Sequence, residues 1–134
     1  MFDSCVLGVD PGVARLGLAA VARDGRKPAL IWAETVTTAS DAPEAERLRV
    51  LASAVRAAIA DHRPVSVAVE RVAFNRNQVS ALSVARATGA VMVVVAEAGL
   101  AVDEYSPTEV KSAITGAGDA DKRQVRQRQH GPAL

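Results

Sequence analysis

The run Cys5-Val-Leu-Gly-Val-Asp-Pro-Gly12 is a short apolar stretch that ends at Asp10 and is broken by Pro11 and Gly12. This pattern predicts a buried strand followed by a tight turn. The carboxylate of Asp10 is then expected at the exposed end of a rigid strand, where a cation or a phosphate could approach. The same pattern also fits an aspartate that only caps its own turn.

The segment after this turn predicts two more strands. Residues 17–22 resume an apolar pattern, Asp24-Gly25 is typical of a hairpin turn, and residues 29–36 form a third apolar run. The chain is therefore expected to open with three antiparallel strands.

A helix is predicted next, capped by Ser40 or Asp41, with Pro43 and Glu44 in its first turn. Its apolar residues recur at steps of three and four, namely Leu48, Leu51, Ala52, Val55, Ala58 and Ile59. A β-branched strand over residues 65–69 then ends at Glu70. A long helix over about 78–98 follows, stopped by Gly99, although its β-branched run 91–95 would also fit a strand.

The remaining chain predicts a strand over 101–105 and a helix that starts at the capping box Ser106-Pro-Thr-Glu109. This helix should run to about Ile114 and end at Gly116 and Gly118. Residues 121–129 have a helical pattern with Val125 as their only large apolar residue. The order of elements favours one α/β domain with a mixed sheet.

The composition of the 134-residue chain bounds its class. Cys5 is its single cysteine, so no intrachain disulfide can form, which suits a reducing cytosol. No apolar stretch of about 18 residues and no signal-like opening are present, so we expect a soluble, cytoplasmic protein without membrane contact. The net charge of +1 favours no partner, but residues 122–128 hold four basic side chains, which fit a phosphate-facing patch or a solvated end.

Glu70 follows an apolar strand as Asp10 does. If these two strands are neighbours, both carboxylates project at one sheet edge and repel each other unless a proton or a divalent cation lies between them. Oxygen ligands of this kind favour Mg²⁺, which supports phosphodiester cleavage by activating water and stabilising the leaving oxygen. Alternatively, Glu70 only pairs with a surface lysine or arginine.

Four strings carry a resemblance to the RuvC family of Holliday-junction resolvases. They are Leu7-Gly-Val-Asp-Pro-Gly12, Val67-Ala-Val-Glu-Arg-Val72 with Phe74 following, Tyr105-Ser-Pro-Thr-Glu-Val-Lys111, and Thr115-Gly-Ala-Gly-Asp-Ala-Asp-Lys122. They occur in the order of the family, with similar spacing, between about residues 6 and 125. The resemblance implies a ribonuclease-H-like fold with a mixed five-stranded sheet flanked by helices, and a Mg²⁺-dependent endonuclease that cuts four-way DNA junctions.

The resemblance also implies roles for individual residues. Asp10 and Glu70 match catalytic, metal-binding acids, and Phe74 matches an aromatic residue that enters the junction centre, where an aromatic ring can stack on a splayed base. Phe74 would also fit a loop that docks on the core. Lys111 and Lys122 match DNA-contacting positions, and Arg71 and Arg76 are weaker candidates for DNA contact.

The same resemblance implies partners. A homodimer is expected, with the helix after Glu70 at its interface, where Ala81, Ala85 and Gly89 would permit close helix approach or plain internal packing. A branch-migration helicase complex is a further candidate partner.

The sequence departs from the family pattern after Val125. RuvC proteins continue to a last helix that bears two further acidic, or acid plus histidine, ligands, whereas here no aspartate or glutamate follows Asp121. His130 precedes Gly131-Pro132 and does not fit that role. We therefore expect a domain over residues 1–125, a divergent basic tail over 126–134, a C-terminal truncation that lacks the last helix, and impaired cleavage.

Three other interpretations remain. A non-catalytic junction-binding or dimerisation module would keep Phe74 and the lysines. A related ribonuclease-H-like group linked to ribosomal RNA processing shares the opening hairpin, but the string from Glu70 to Phe74 speaks against it. Actin-like ATPases use a similar aspartate–glycine hairpin, but this chain is too short for their paired domains.

Overall fold

The computed structural model describes residues 4–24, 27–70 and 78–105. Five strands and two helices occur there: β1 (Cys5–Asp10), β2 (Arg15–Asp24), β3 (Lys27–Thr37), α1 (Glu44–His62), β4 (Ser66–Glu70), α2 (Gln78–Glu97) and β5 (Ala101–Tyr105). Each corresponds to an element expected from the sequence. The described chain contains no helix long and apolar enough to cross a membrane.

The strands form one mixed sheet in the order β3-β2-β1-β4-β5. The first three strands are antiparallel, as predicted, and β4 and β5 add to β1 in parallel. Parallel neighbours need a crossover, which α1 and α2 supply. The ribonuclease-H-like five-stranded sheet flanked by helices is therefore confirmed.

Both helices cover the same face of the sheet. Leu7, Val9, Val67 and Val69 of the central strands are fully buried against Leu51 and Val55 of α1 and Val91 and Val95 of α2. Each such side chain contributes about 1.5–3 kcal/mol when it leaves water. Because side chains alternate along a strand, the residues after Val9 and Val69 lie on the opposite face.

The β-branched run 91–95 lies within α2, so the alternative of a strand is wrong. Val91, Val94 and Val95 are buried, whereas Met92 and Val93 are exposed. This spacing of three and four residues is that of one helix face. As a helix, the run turns Val91, Val94 and Val95 toward the sheet and leaves Val93 outside.

The predicted cap of α1 is wrong. The helix begins at Glu44, and Pro43 occupies the N-cap position without a side-chain hydrogen bond. Ser40 and Asp41 instead lie in a turn closed by the amide of Ala42, which donates to the carbonyl of Ala39 at 3.2 Å. The fixed φ of proline suits the helix start and places Pro43 just before the first turn.

Several predicted features lie outside the described residues. They are the turn at Gly25, the helix from Ser106, the helical pattern over 121–129 and the proposed boundary between residues 125 and 126.

Candidate active site at the ends of two parallel strands

Asp10 and Glu70 end two neighbouring parallel strands. Val9 is paired with Val69 in the ladder of β1 and β4, so the two acids hold equivalent positions one residue further on. Neighbouring strands lie about 4.8 Å apart. Asp10 is exposed and Glu70 is half-buried. The strands are thus neighbours as the sequence argument required, and both acids lie at one edge and on the face away from the helices.

Gly17 faces Asp10 across the antiparallel pair of β1 and β2. A methyl group on Gly17 would lie 3.4 Å from the Cβ atom of Asp10. A larger side chain would therefore fill the space beside the carboxylate. With glycine there, the β2 side of Asp10 stays open to an ion or a phosphate.

The turn after Asp10 is tight because of Gly12. A Cβ atom at Gly12 would lie only 2.6 Å from the carbonyl oxygen of Arg15, a distance that real Cβ atoms do not adopt. Pro11 and Val13 are buried on either side of this glycine. The chain can therefore reverse within four residues and start β2 at Arg15.

Thr38 holds this turn from outside. Its hydroxyl donates to the carbonyl of Val13 at 2.6 Å, and its amide donates to the carbonyl of Ala14 at 3.1 Å. The same hydroxyl accepts a hydrogen bond from Nε of Arg47 at 2.9 Å. The hydroxyl of Thr38 thus bridges the turn to α1, and this network keeps the end of β1 in one position relative to the helix.

Neither Thr38 nor Arg47 was expected from the sequence to lie near the site. Thr38 is 25 residues from Val13. Neither residue lies in a motif with a recognisable chemical pattern. The one signal in the sequence is indirect. The carbonyl groups of a buried turn need hydrogen-bond donors, and Thr38 and Arg47 are polar residues that could belong to such a network.

The donor set at the strand ends fits a hard divalent cation. Two carboxylates on neighbouring strands offer oxygen ligands, and Mg²⁺ is commonly held by one or two carboxylates while it keeps several waters. The described residues contain no group of three or more histidine, cysteine, aspartate or glutamate side chains that could hold a metal. Asp10 and Glu70 would therefore supply part of a coordination sphere.

Five other predicted site residues lie outside the described chain. They are Phe74, Arg71, Arg76, Lys111 and Lys122. Their roles stay predictions, as do the catalytic roles of Asp10 and Glu70.

The outer face of α2 is apolar. Leu82 and Val93 are 53% and 57% exposed, and Met92 is 40% exposed. Ala85 and Gly89 are exposed between them at helical spacing, whereas Ala81 is half-buried. Two of the three small residues expected at a helix interface are therefore accessible to a partner.

Comparison with known proteins assigns this architecture. The family model described as crossover junction endodeoxyribonuclease RuvC matches residues 6–129. The RuvC of Heliobacterium modesticaldum is 40% identical over 122 residues, which is 91% of this chain and 75% of that protein. The RuvC of Chloroflexus aggregans is 42% identical over 121 residues, covering 90% and 74%.

A solved structure resembles this chain to a similar extent. The T. thermophilus RuvC in complex with Holliday junction substrate is 36% identical and superposes with a TM-score of 0.77. The match covers 92% of this chain and 78% of that one.

Proposed function

Since the chain belongs to the RuvC family of crossover junction endodeoxyribonucleases, we propose that it binds four-way DNA junctions and cuts them by Mg²⁺-dependent phosphodiester hydrolysis. Nucleases of this family are metal-dependent. The substrate is suggested by the T. thermophilus RuvC, which was solved with a Holliday junction. The cell compartment is the cytoplasm, where the junctions of recombination and repair would arise.

One observation carries the proposal: Asp10 and Glu70 are placed side by side by the parallel pairing of β1 and β4. Carboxylates at equivalent ends of neighbouring strands can offer oxygen ligands to one divalent cation. A site that binds a divalent cation can support phosphodiester hydrolysis, because the cation activates water and stabilises the leaving oxygen.

Asp10 and Glu70 would hold Mg²⁺ at the strand ends. The bound ion would supply an activated water and stabilise the leaving oxygen. Gly17 leaves room for the phosphate beside Asp10, and the Thr38 network holds the turn so that the carboxylate does not need to reorganise when the ion binds.

Junction recognition would use the residues that match the DNA-contacting positions of the family. Lys111 and Lys122, with Arg71 and Arg76, provide cations for the DNA backbone, and Phe74 provides a ring that stacks on an unpaired base. The cations would fix the position of the DNA, whereas the ring would distinguish an open junction centre from plain duplex.

The active form would be a homodimer joined through the outer face of α2. Leu82, Met92 and Val93 form an exposed apolar stripe, and the exposed Ala85 and Gly89 let a second helix approach closely. Two subunits related by a twofold axis would present two sites to symmetrically placed strands. A branch-migration helicase complex is a further proposed partner.

A polypeptide of these 134 residues should cut slowly when tested by itself. Its family-matching acids are Asp10 and Glu70, and two carboxylates hold a divalent cation less firmly than a larger set of ligands does. The second candidate function is a junction-binding and dimerisation module without cleavage. It is favoured by the same small number of family-matching acids.

A junction-binding and nicking assay tests the function. The wild type and Asp10→Asn are compared on a labelled four-way junction and on a linear duplex of the same sequence, first in EDTA and then in Mg²⁺. Both proteins should prefer the junction in EDTA, and any nicking should need Mg²⁺ and be absent from Asp10→Asn. Junction binding with no nicking by the wild type favours the second candidate, and equal affinity for junction and duplex contradicts both.

A further inference from the structure

A groove lined by both apolar and charged residues adjoins the turn that follows Asp10, on the helix side of the same sheet edge. It is lined by the turn Gly12–Arg15, by Glu44 and Arg47 at the start of α1, and by Ser83 in α2. Its volume is about 360 Å³, at the lower end of the roughly 300–1,000 Å³ of ligand sites. The groove begins two residues after the proposed metal ligand, on the helix side of the sheet.

The charge of the groove is positive. Of the arginines with described side chains, Arg49 pairs with Glu46, Arg56 with Glu97 and Arg86 with Glu44. Within the described chain, Arg15, Arg47 and Arg63 have no carboxylate partner. Two of these three line the groove, and among its described lining residues the carboxylate of Glu44 is paired with Arg86.

The donors of the groove are available to an anion. Arg47 uses Nε on Thr38, which leaves both of its terminal nitrogens without a partner among the described residues. The guanidinium of Arg15 is exposed. An arginine fork of this kind matches the oxygens of a phosphate.

Two backbone acceptors of the turn are already hydrogen-bonded. The carbonyl oxygens of Val13 and Ala14 both accept hydrogen bonds from Thr38. Thr38 therefore positions Arg47 and at the same time engages the carbonyl groups of the turn. The groove keeps two unpaired cations and a hydroxyl at Ser83, which together suit a phosphodiester.

We propose that this groove binds a backbone phosphate of the DNA strand that enters the site at Asp10, with Arg15 and Arg47 as its cations. The proposal rests on the proposed function and adds a DNA contact on the helix side of the sheet edge. The groove would set the position of the strand before the scissile phosphate reaches the metal site.

The test measures the affinity of the full chain for a labelled four-way junction in EDTA between about 50 and 200 mM salt. Arg15→Gln should weaken binding about 5- to 10-fold at about 100 mM salt and lower the slope of log K against log salt by about one. Arg63→Gln removes the same charge at the far end of α1, about 28 Å from its start, and should change neither value.

A second variant adds a charge without touching the turn. Ser83→Asp places a carboxylate in the groove and should also weaken binding about 5- to 10-fold, whereas Ser53→Asp on the exposed side of α1 should not. Circular dichroism establishes that each variant is folded, and Arg15→Lys should restore most of the slope.

Two results separate the failure of this proposal from the failure of the function. If Arg15→Gln and Ser83→Asp bind within about twofold of their controls with an unchanged slope, the groove is no phosphate site, while the junction preference of the wild type stands. If the wild type binds junction and duplex equally but the slope still falls in Arg15→Gln, the groove is retained and the junction-cutting function fails.

Discussion

Asp10 and Glu70 occupy equivalent positions at the carboxyl ends of adjacent parallel strands, one residue beyond the paired Val9 and Val69. The two residues are 60 positions apart in the chain, and the sheet makes them neighbours. A metal site formed this way depends on strand pairing and needs no local ligand motif.

The first prediction concerns the metal response. Asp10→Asn should remove the rise in melting temperature that Mg²⁺ gives the wild type, because one ligand is lost; saturation at 100 times Kd stabilises by about 2.7 kcal/mol. Without Mg²⁺ the variant should be about as stable as the wild type, since asparagine has nearly the same shape as aspartate and position 10 is exposed. Asp61→Asn, an exposed acid on α1, is the control, and an equal Mg²⁺ response in all three proteins would contradict the metal site.

The second prediction concerns the turn. Thr38→Val removes the hydroxyl that donates to Val13 and accepts from Arg47. The free energy of unfolding should fall by about 1–3 kcal/mol, because a part-buried carbonyl loses its donor. Urea denaturation with an unchanged m value measures the loss. Thr37→Val, at the exposed neighbouring residue, should have little effect, and equal losses in the two variants would show that the hydroxyl bridge is unimportant.

The third prediction concerns Gly12. In Gly12→Ala the new methyl would meet the carbonyl of Arg15 at 2.6 Å. The turn must shift, at a cost of about 1–3 kcal/mol, comparable to overpacking in a core. Gly17→Ala adds the same methyl at an ordinary contact distance of 3.4 Å. Thermal unfolding should therefore show a clear loss for the first variant and a smaller one, or none, for the second; the reverse order would refute the geometry of the turn.

The fourth prediction concerns the dimer. Val93 and Val65 are almost equally exposed, at 57% and 59%, but only Val93 lies on the outer face of α2. Val93→Glu should shift the protein to monomer in analytical ultracentrifugation, because a buried unpaired charge opposes association. Val65→Glu should leave the association unchanged. A monomeric wild type, or equal effects of both substitutions, would contradict an interface at α2.

The fifth prediction concerns Cys5, whose side chain is buried and whose pKa is raised by that burial above its ordinary value of 9.0. At pH 8 the folded protein should react with a thiol reagent at no more than about one tenth of the rate of the unfolded chain. Because burial disfavours the thiolate, this group leaves the free energy of unfolding unchanged well below pH 9.0 and lowers it as pH rises from there through the folded-state pKa. Equal labelling rates in folded and denatured protein would show that the thiol is accessible.

Local patterns were sufficient for most elements. The apolar run before Asp10, the three- and four-residue spacing in α1 and the β-branched run before Glu70 each identify an element, because burial of one face imposes its period on the sequence. They were insufficient for the start of α1. Ser40 and Asp41, which could have capped the helix, lie instead in the turn from Ala39 to Ala42. The helix propensities of these residues do not reveal this turn.

The candidate site was predictable only in part. The acids at strand ends are visible in the sequence because they interrupt apolar runs. Thr38, Arg47 and the groove were not, since each depends on contacts between segments that are distant in the chain.

The sequence by itself determined which segments become strands and helices and which two acids end the central strands, since these follow from hydrophobic period and chain breaks. Tertiary structure alone decided that β1 pairs with β4, that Thr38 holds the turn after Asp10, and that Arg15 and Arg47 converge on one groove. The physical reason is that these relationships come from packing both helices on one face of the sheet, which sets distances between residues that have no local interaction.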